Sequence, residues 1–188
     1  VTVTYTANCY NVTYNYGTAP AGATTLPAEQ TYKYNESVTV APAAAAPGYT
    51  FKGWTTGDVT VSTDGTFTMP AKDVTLTGEW EVINYTVLYE DYNGTEISWK
   101  NYHYGDVVTV PADPTREADE TYTYEFAGWA KTDGIALDNG RCVGDVTYIA
   151  TYTQTYINYT VTYTDGVDGE VVFKDHVHNN LHFGVATP

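Results

Sequence analysis

Three histidines near the C-terminal end, His176, His178 and His182, are spaced H-x-H-x-x-x-H. On a strand, residues i and i+2 share a face, so His176 and His178 could ligate one metal ion. No Cys or carboxylate stands at a supporting spacing that recurs in the other units. The two are weak metal candidates, and neither a metal nor any other cofactor is expected. Asp165, Asp168 and Glu170, in the run T-D-G-V-D-G-E, lack the length and ligand order of a calcium loop and read as turn formers. Nothing catalytic stands out: there is no G-x-S-x-G, no H-E-x-x-H and no Gly-rich phosphate loop. The chain reads as a non-enzyme. Its most distinctive side chains are aromatic. Gly53-Trp54 and Gly128-Trp129 recur as pairs; such an indole can stack on a sugar face or anchor a small core, and the core role is the one expected. Trp80 is a third expected anchor. Tyrosines such as Tyr85, Tyr89, Tyr92, Tyr102, Tyr104, Tyr122 and Tyr124 exceed what thin cores absorb, so some must lie outside. There they serve as strand formers or as contact residues.

The composition says what must position these groups. The 188 residues include 33 Thr, 21 Val and 19 Tyr, against five Leu, five Ile and one Met. Branched and aromatic side chains suit a pleated sheet, whereas straight-chain helix formers are scarce, which excludes a helical bundle. Leu, Ile, Val and Phe together come to only 36 residues, about 19% of the chain, and Tyr and Trp supply the missing buried area. A net charge of −15 argues against nucleic acid or an anionic membrane surface as partner. No stretch approaches the ~20 apolar residues of a membrane span. Five Asn-x-Ser/Thr sequons, at Asn11, Asn35, Asn84, Asn93 and Asn158, are expected by chance in so Thr-rich a chain.

The sequence repeats. Asn11-Val12-Thr13-Tyr14 resembles Tyr85-Thr86-Val87-Leu88-Tyr89 and Tyr159-Thr160-Val161-Thr162-Tyr163. Val12 and Val87 are 75 residues apart, Val87 and Val161 are 74 apart, and Trp54 and Trp129 again 75. Thr31–Pro42 aligns with Asn101–Pro114, and Asp73–Trp80 with Asp145–Gln154. The parsing that follows is a tail of a preceding unit (1–8), a first module (9–82), a second (83–156) and the first half of a third (157–188). Cys9 and Cys142 then fall at unlike places in different modules, which argues against a disulfide. Within a unit, large apolar residues alternate with Thr at period two, giving strands with one face on a core. Asn93-Gly94 reads as a type I′ hairpin turn with positive φ at both residues. Asn139-Gly140 and Asp64-Gly65 mark later turns. Helix has room only between the second and third strands: prolines at 42 and 47 leave space for about one turn, and 114–122 could form one or two. Two strands alone are marginal, so the half unit is expected to borrow a partner strand from the preceding unit or another molecule and to pack there.

The opening Y-T-V-x-Y strand, the G-Y-T-F-K-G-W block (Gly48–Trp54) and the closing F-T-M-P-A-K-D-V-T-L-T-G-E-W (Phe67–Trp80) resemble the Listeria–Bacteroides repeat, also called the internalin B-type B repeat. Unit two departs from it at the closing end, where G-R-C-V-G-D-V-T-Y-I-A-T-Y (Gly140–Tyr152) replaces the Met-Pro-Ala-Lys-Asp segment. The resemblance implies a β-rich α+β chain of tandem small β-grasp (ubiquitin-like) modules, mostly antiparallel, with at most a short helix each. It implies a surface protein of bacteria, mostly Gram-positive, either wall-attached or secreted. The expected role is a stalk or spacer projecting a distal domain, with adjacent repeats of the same chain as neighbours. The alternative is an adhesin module that binds a host surface protein or glycan through exposed tyrosines.

Overall fold

The computed structural model describes residues 2, 4, 6–162 and 177–184. Asp165, Asp168, Glu170, His176 and part of the expected tail at 1–8 lie outside the described residues. The chain divides into two compact units, Val1–Tyr85 with Tyr102–Asp106, and Thr86–Asn101 with Val107–Pro188.

Unit one holds six strands: β1 (Cys9–Asn15), β2 (Gln30–Lys33), β3 (Ser37–Thr39), β4 (Tyr49–Thr55), β5 (Thr66–Thr68) and β6 (Val74–Val82). Its main sheet has the order β2-β1-β6-β4. The central pair β1–β6 is parallel, in the register Val12↔Val74 to Asn15↔Thr77, and both flanking pairs are antiparallel. The period-two pattern explains which face is buried. Val12, Val74 and Leu76 point inward with Tyr14 against them, and Thr13 and Thr75 point outward with their hydroxyls 3.1 Å apart. The short ladder β3–β5 contributes Val38 and Phe67, and Met69 completes a core in which all six residues are buried.

Unit two repeats the arrangement with β7 (Tyr85–Glu90), β8 (Glu96–Tyr102), β9 (Tyr122–Gly134) and β10 (Val146–Tyr156), in the order β8-β7-β10-β9. Its parallel register, Val87↔Val146, matches Val12↔Val74. The divergent closing segment therefore leaves the last strand where the first unit has it. Leu76, Gly78 and Trp80 correspond to Tyr148, Ala150 and Tyr152. The β3–β5 ladder shrinks to a single bridge, Val107↔Arg141, beside buried Val108 and Cys142. Cys142 is a thiol whose Sγ approaches the Gly144 carbonyl at 3.6 Å.

Two polar devices recur. The carboxylate before each closing strand accepts a backbone N–H from the opening strand: Asp73 from Asn11 and Asp145 from Thr86, both at 2.7 Å. Next to it, a Thr hydroxyl donates to an Asn across the first hairpin. Thr31 donates to Asn11 at 2.9 Å, Thr86 to Asn101 at 3.0 Å and Thr160 to Asn179 at 3.2 Å. In unit one the Asn is on the opening strand, and in unit two it has changed places with the Thr. The third occurrence joins β11 (Tyr159–Thr162) to β12 (Val177–Leu181), an antiparallel pair. Among the described residues the two strands of the half unit pair with each other. The half unit rests on unit two through side chains, with the Tyr159 hydroxyl donating to the Glu120 carbonyl at 2.9 Å and the Tyr156 ring 4.3 Å from His182.

Two local expectations are corrected. No helix occurs among the described residues. Residues 41–47 form an irregular strap, with prolines at 42 and 47 that cannot donate a helical bond and with the Tyr14 hydroxyl accepting from Ala41 N–H at 2.9 Å. Asn93-Gly94 is not a type I′ turn, because only Gly94 has positive φ (81°). Gly94 N–H donates to Asp91 at 2.9 Å and Asp91 N–H to Thr95 at 2.8 Å, a three-residue loop closed by a left-handed Gly. The two-residue turn with both φ positive is at Asn139 (48°) and Gly140 (77°), closed by the bridge Asp138↔Arg141.

Replacing Asp73 with Ala removes a charge-assisted acceptor from the parallel pair and is expected to cost about 1 kcal/mol in urea unfolding. Exchanging Asn11 and Thr31 for one another recreates the pair of unit two. The double exchange is expected to be closer to wild type than the sum of the single substitutions, by roughly 0.2–1 kcal/mol.

Candidate functional site

The side chains with binding chemistry gather around the Gly-Trp pairs. Gly53 and Gly128 have φ of 126° and 125°. Gly53 adjoins the register shift in β4–β6, and Gly128 pairs with Thr151 at the shift in β9–β10. A Cβ at either would meet no atom within 4 Å. The Gly is therefore required by a left-handed backbone at a bulge, rather than by close approach of another chain segment. The bulge re-aims the following indole.

In unit one Trp54 packs on the core cluster and is half-buried. Tyr16 stacks on it with centroids 5.6 Å apart and planes 15° apart, while Tyr14 and Phe51 meet it edge-on at 4.8 and 5.1 Å. Trp80 closes the cluster edge-on against Tyr16 and Phe51. Gly78 makes room: a Cβ there would lie 2.9 Å from Phe51, 3.2 Å from Tyr16 and 3.3 Å from Trp54. The free edges of Tyr16 and Trp54, with Thr24, Pro27 and Pro42, line a groove of about 310 Å³. Its polar edges are already engaged. Trp54 Nε1 donates to the Pro42 carbonyl at 3.2 Å, and the Tyr16 hydroxyl donates to the Thr24 carbonyl at 2.9 Å. The groove can offer aromatic surface, with few free donors.

Unit two rebuilds the cluster with different chemistry. Trp129 meets Tyr89 and Phe126 edge-on at 4.8 and 5.4 Å, and Tyr148 stacks on Tyr89 at 5.4 Å. Where unit one places Tyr16 against Trp80, unit two places Asp91 against Tyr152, whose hydroxyl donates to the carboxylate at 2.9 Å. Asp91 stands where unit one has Tyr16, and Ala150 where it has Gly78. Trp80 Nε1 and Trp129 Nε1 are buried and find no acceptor among the described residues.

A polar aromatic lattice extends from Tyr152. Arg116, in the long loop before β9, lies between two rings, 3.9 Å from the Tyr92 centroid and 3.6 Å from that of Tyr124, a doubled cation–π contact. The Tyr124 hydroxyl donates to Asp119 at 2.6 Å. That bond, with N–H bonds from Thr121 and Tyr122, holds the Asp119 carboxyl below its ordinary range and raises the Tyr124 hydroxyl. Tyr122 is raised first by its hydrogen bond with Tyr156. Burial, then the bond to Asp91, pushes Tyr152 up to about 12.

Among the described residues no three His, Cys, Asp or Glu side chains are grouped to hold a metal ion. His178 lies on β12 opposite Val161. Tyr34, Tyr49, Tyr92, Tyr104, Tyr156 and Tyr159 are exposed. Sequence reasoning overlooked Trp99, 56% exposed on β8, where Ile97, Trp99 and Asn101 alternate onto the face on which Thr86 bonds Asn101. It also overlooked Arg116. An indole outside the repeated Gly-Trp block was the available signal for Trp99; Arg116 had none.

Residues 10–84 match the family described as the Divergent InlB B-repeat domain, and residues 85–156 match the Listeria-Bacteroides repeat domain. The chain belongs to this family of repeats. Among its relatives, a protein of Evansella cellulosilytica named as a Gly-rich membrane protein is 33% identical over 121 residues, 62% of this chain and 13% of that protein. Internalin H of Listeria monocytogenes is 30% identical over 176 residues, 81% of this chain and 30% of its own length. The repeat chain thus spans less than a third of either relative. A solved pair of Streptococcal High Identity Repeats in Tandem domains, from a cell surface protein, aligns over 79% of this chain and 99% of its own at 17% identity and a TM-score of 0.29.

Gly53→Ala forces a side chain into the left-handed bulge and is expected to destabilise unit one by roughly 1–3 kcal/mol in thermal or urea melts. Tyr152 gives a pH signature. Its hydroxyl ionises near 10 when unfolded and near 12 when folded. A raised pKa stabilises fully below the unfolded value, so this contribution is present below pH 10 and disappears as pH rises to 12. Tyrosinate absorbance is expected to show a class titrating above the bulk of the tyrosines, and Tyr152→Phe to remove part of it.

Proposed function

We propose that this chain is a tandem-repeat segment of a bacterial surface protein that serves as a stalk, its modules being β-grasp sheets that have dispensed with the helix. The observation that carries the reading is the shared register: Val12↔Val74 and Val87↔Val146 set the same four-strand order in each unit, around separate buried cores. A sheet with its first and last strands parallel at the centre is the β-grasp arrangement, and the strap at 41–47 takes the place of the helix. Only Ile83 and Asn84 separate β6 from β7. The surface location draws on the names of the relatives, internalin H and the membrane protein of Evansella. A charge of −15 keeps neighbouring copies apart and soluble.

A second reading, adhesion to a host protein or glycan, draws on the exposed tyrosines and on Trp99. The two part on one experiment, in which the purified chain is passed over a panel of glycans and matrix proteins. The stalk reading expects no saturable binding. Saturable binding that is lost in Trp99→Ser or Tyr92→Ser, with the melting temperature kept, would replace it with adhesion. Under axial force the stalk reading further expects two separate unfolding events, one per unit.

A further inference from the structure

The chain contains two Asn-Gly pairs, Asn93-Gly94 and Asn139-Gly140. All four residues are exposed, yet the two turns hold their reacting atoms differently. We propose that Asn139 is a site of spontaneous deamidation in the folded protein and that Asn93, with the same local sequence, is protected by its turn.

In this chemistry the backbone nitrogen of the following Gly loses its proton and attacks the Asn side-chain amide carbon. A new C–N bond closes a five-membered succinimide, and the amide nitrogen leaves as ammonia. Water then opens the ring at either carbonyl, giving Asp or isoaspartate. The step needs water as its sole co-reactant and leaves one added negative charge. It proceeds fastest where the following residue is Gly, because no Cβ obstructs the ring, and where the attacking N–H and the side-chain amide are free to move.

At Asn93 both are tied. Gly94 N–H donates to the Asp91 carbonyl at 2.9 Å, and the Asn93 side-chain oxygen accepts Thr95 N–H at 3.0 Å. Attack there must first break two hydrogen bonds. At Asn139 the turn is closed one residue to each side, by Asp138 and Arg141 bonding each other at 2.9 and 3.0 Å. Gly140 N–H has no acceptor among the described residues. Among the described residues the Asn139 side chain has a single partner, its Nδ2 donating to Asp138 at 3.0 Å. The type I′ geometry that makes Asn-Gly the preferred turn sequence is thus the geometry that leaves its own nitrogen unengaged.

The product matters locally. Isoaspartate routes the main chain through an extra methylene, within the turn whose Gly140 carbonyl accepts Val108 N–H at 2.9 Å. Val108 is a buried residue of unit two. Conversion is therefore expected to loosen the bridge Val107↔Arg141 that replaces the β3–β5 ladder.

The test incubates the intact chain at neutral pH and 37 °C and follows both sites by peptide mapping with enzymatic isoaspartate labelling. A parallel sample is held in urea. The expected result is conversion at Asn139 several-fold faster than at Asn93 in the folded chain, with the two rates converging in urea. Asn139→Gln is expected to remove the early isoaspartate signal without lowering the melting temperature of unit one. Equal rates in the folded chain, faster conversion at Asn93, or a bias that persists unchanged in urea would each overturn the proposal.

Discussion

The parallel pairing of each unit's opening and closing strands is the constraint on which the rest depends. Two strands more than fifty residues apart in sequence must lie side by side before there is a sheet face to bury. An antiparallel hairpin gets its register from its turn; a parallel pair has no turn to set it. Here the register is fixed by the inward valines, Val12 with Val74 and Val87 with Val146, and by the aspartate that reaches across from the start of the closing strand. A slip of one residue would turn Leu76 or Tyr148 outward and bring Thr to the core. The bond from the carboxylate to the N–H of Asn11 or Thr86 is lost in such a slip.

Once the register holds, aromatic residues do what aliphatic ones do elsewhere. With so few Leu and Ile, each unit fills its open end with rings meeting mostly edge-on, and the bulge at Gly53 or Gly128 turns an indole toward them. The two units reach the same packing by exchanging partners together. Tyr16 with Gly78 and Trp80 in one becomes Asp91 with Ala150 and Tyr152 in the other, as Asn11 with Thr31 becomes Thr86 with Asn101. These joint changes are physical: a larger ring on one strand requires a smaller residue beside it, and a donor requires an acceptor. Repeats can therefore diverge in pairs of residues while keeping one fold.

The differences between units fall where the shared constraint does not reach. The β3–β5 ladder of unit one is reduced to one bridge in unit two, and the loop before β9 is held by Arg116 between two tyrosine rings rather than by a ladder. Such surface attachments are free to vary because the central pair does not need them. Exposed Trp99 belongs to the same class, on an edge strand whose counterpart in unit one carries no indole.

Periodicity and repetition made the strands, the two units and the Gly-Trp pairs readable in the sequence, since alternation of Val or Tyr with Thr fixes the face of a strand whatever its partner. The family resemblance was legible for the same reason: its blocks are the strands themselves. Which strand pairs with which, and in which sense, came only from the folded chain, because nothing local encodes a contact across some sixty residues. The turn at Asn93-Gly94 shows the limit on a smaller scale. The dipeptide permits more than one hairpin, and the folded chain holds a three-residue loop there. The role of glycine beside tryptophan was likewise decided by the tertiary structure, since positive φ at a bulge appears only when two strands of unequal count are laid together. Proline bounded the strap at 41–47 in the sequence; that it is irregular rather than helical came only from the folded chain, where the hydroxyl of Tyr14 on β1 holds the Ala41 N–H.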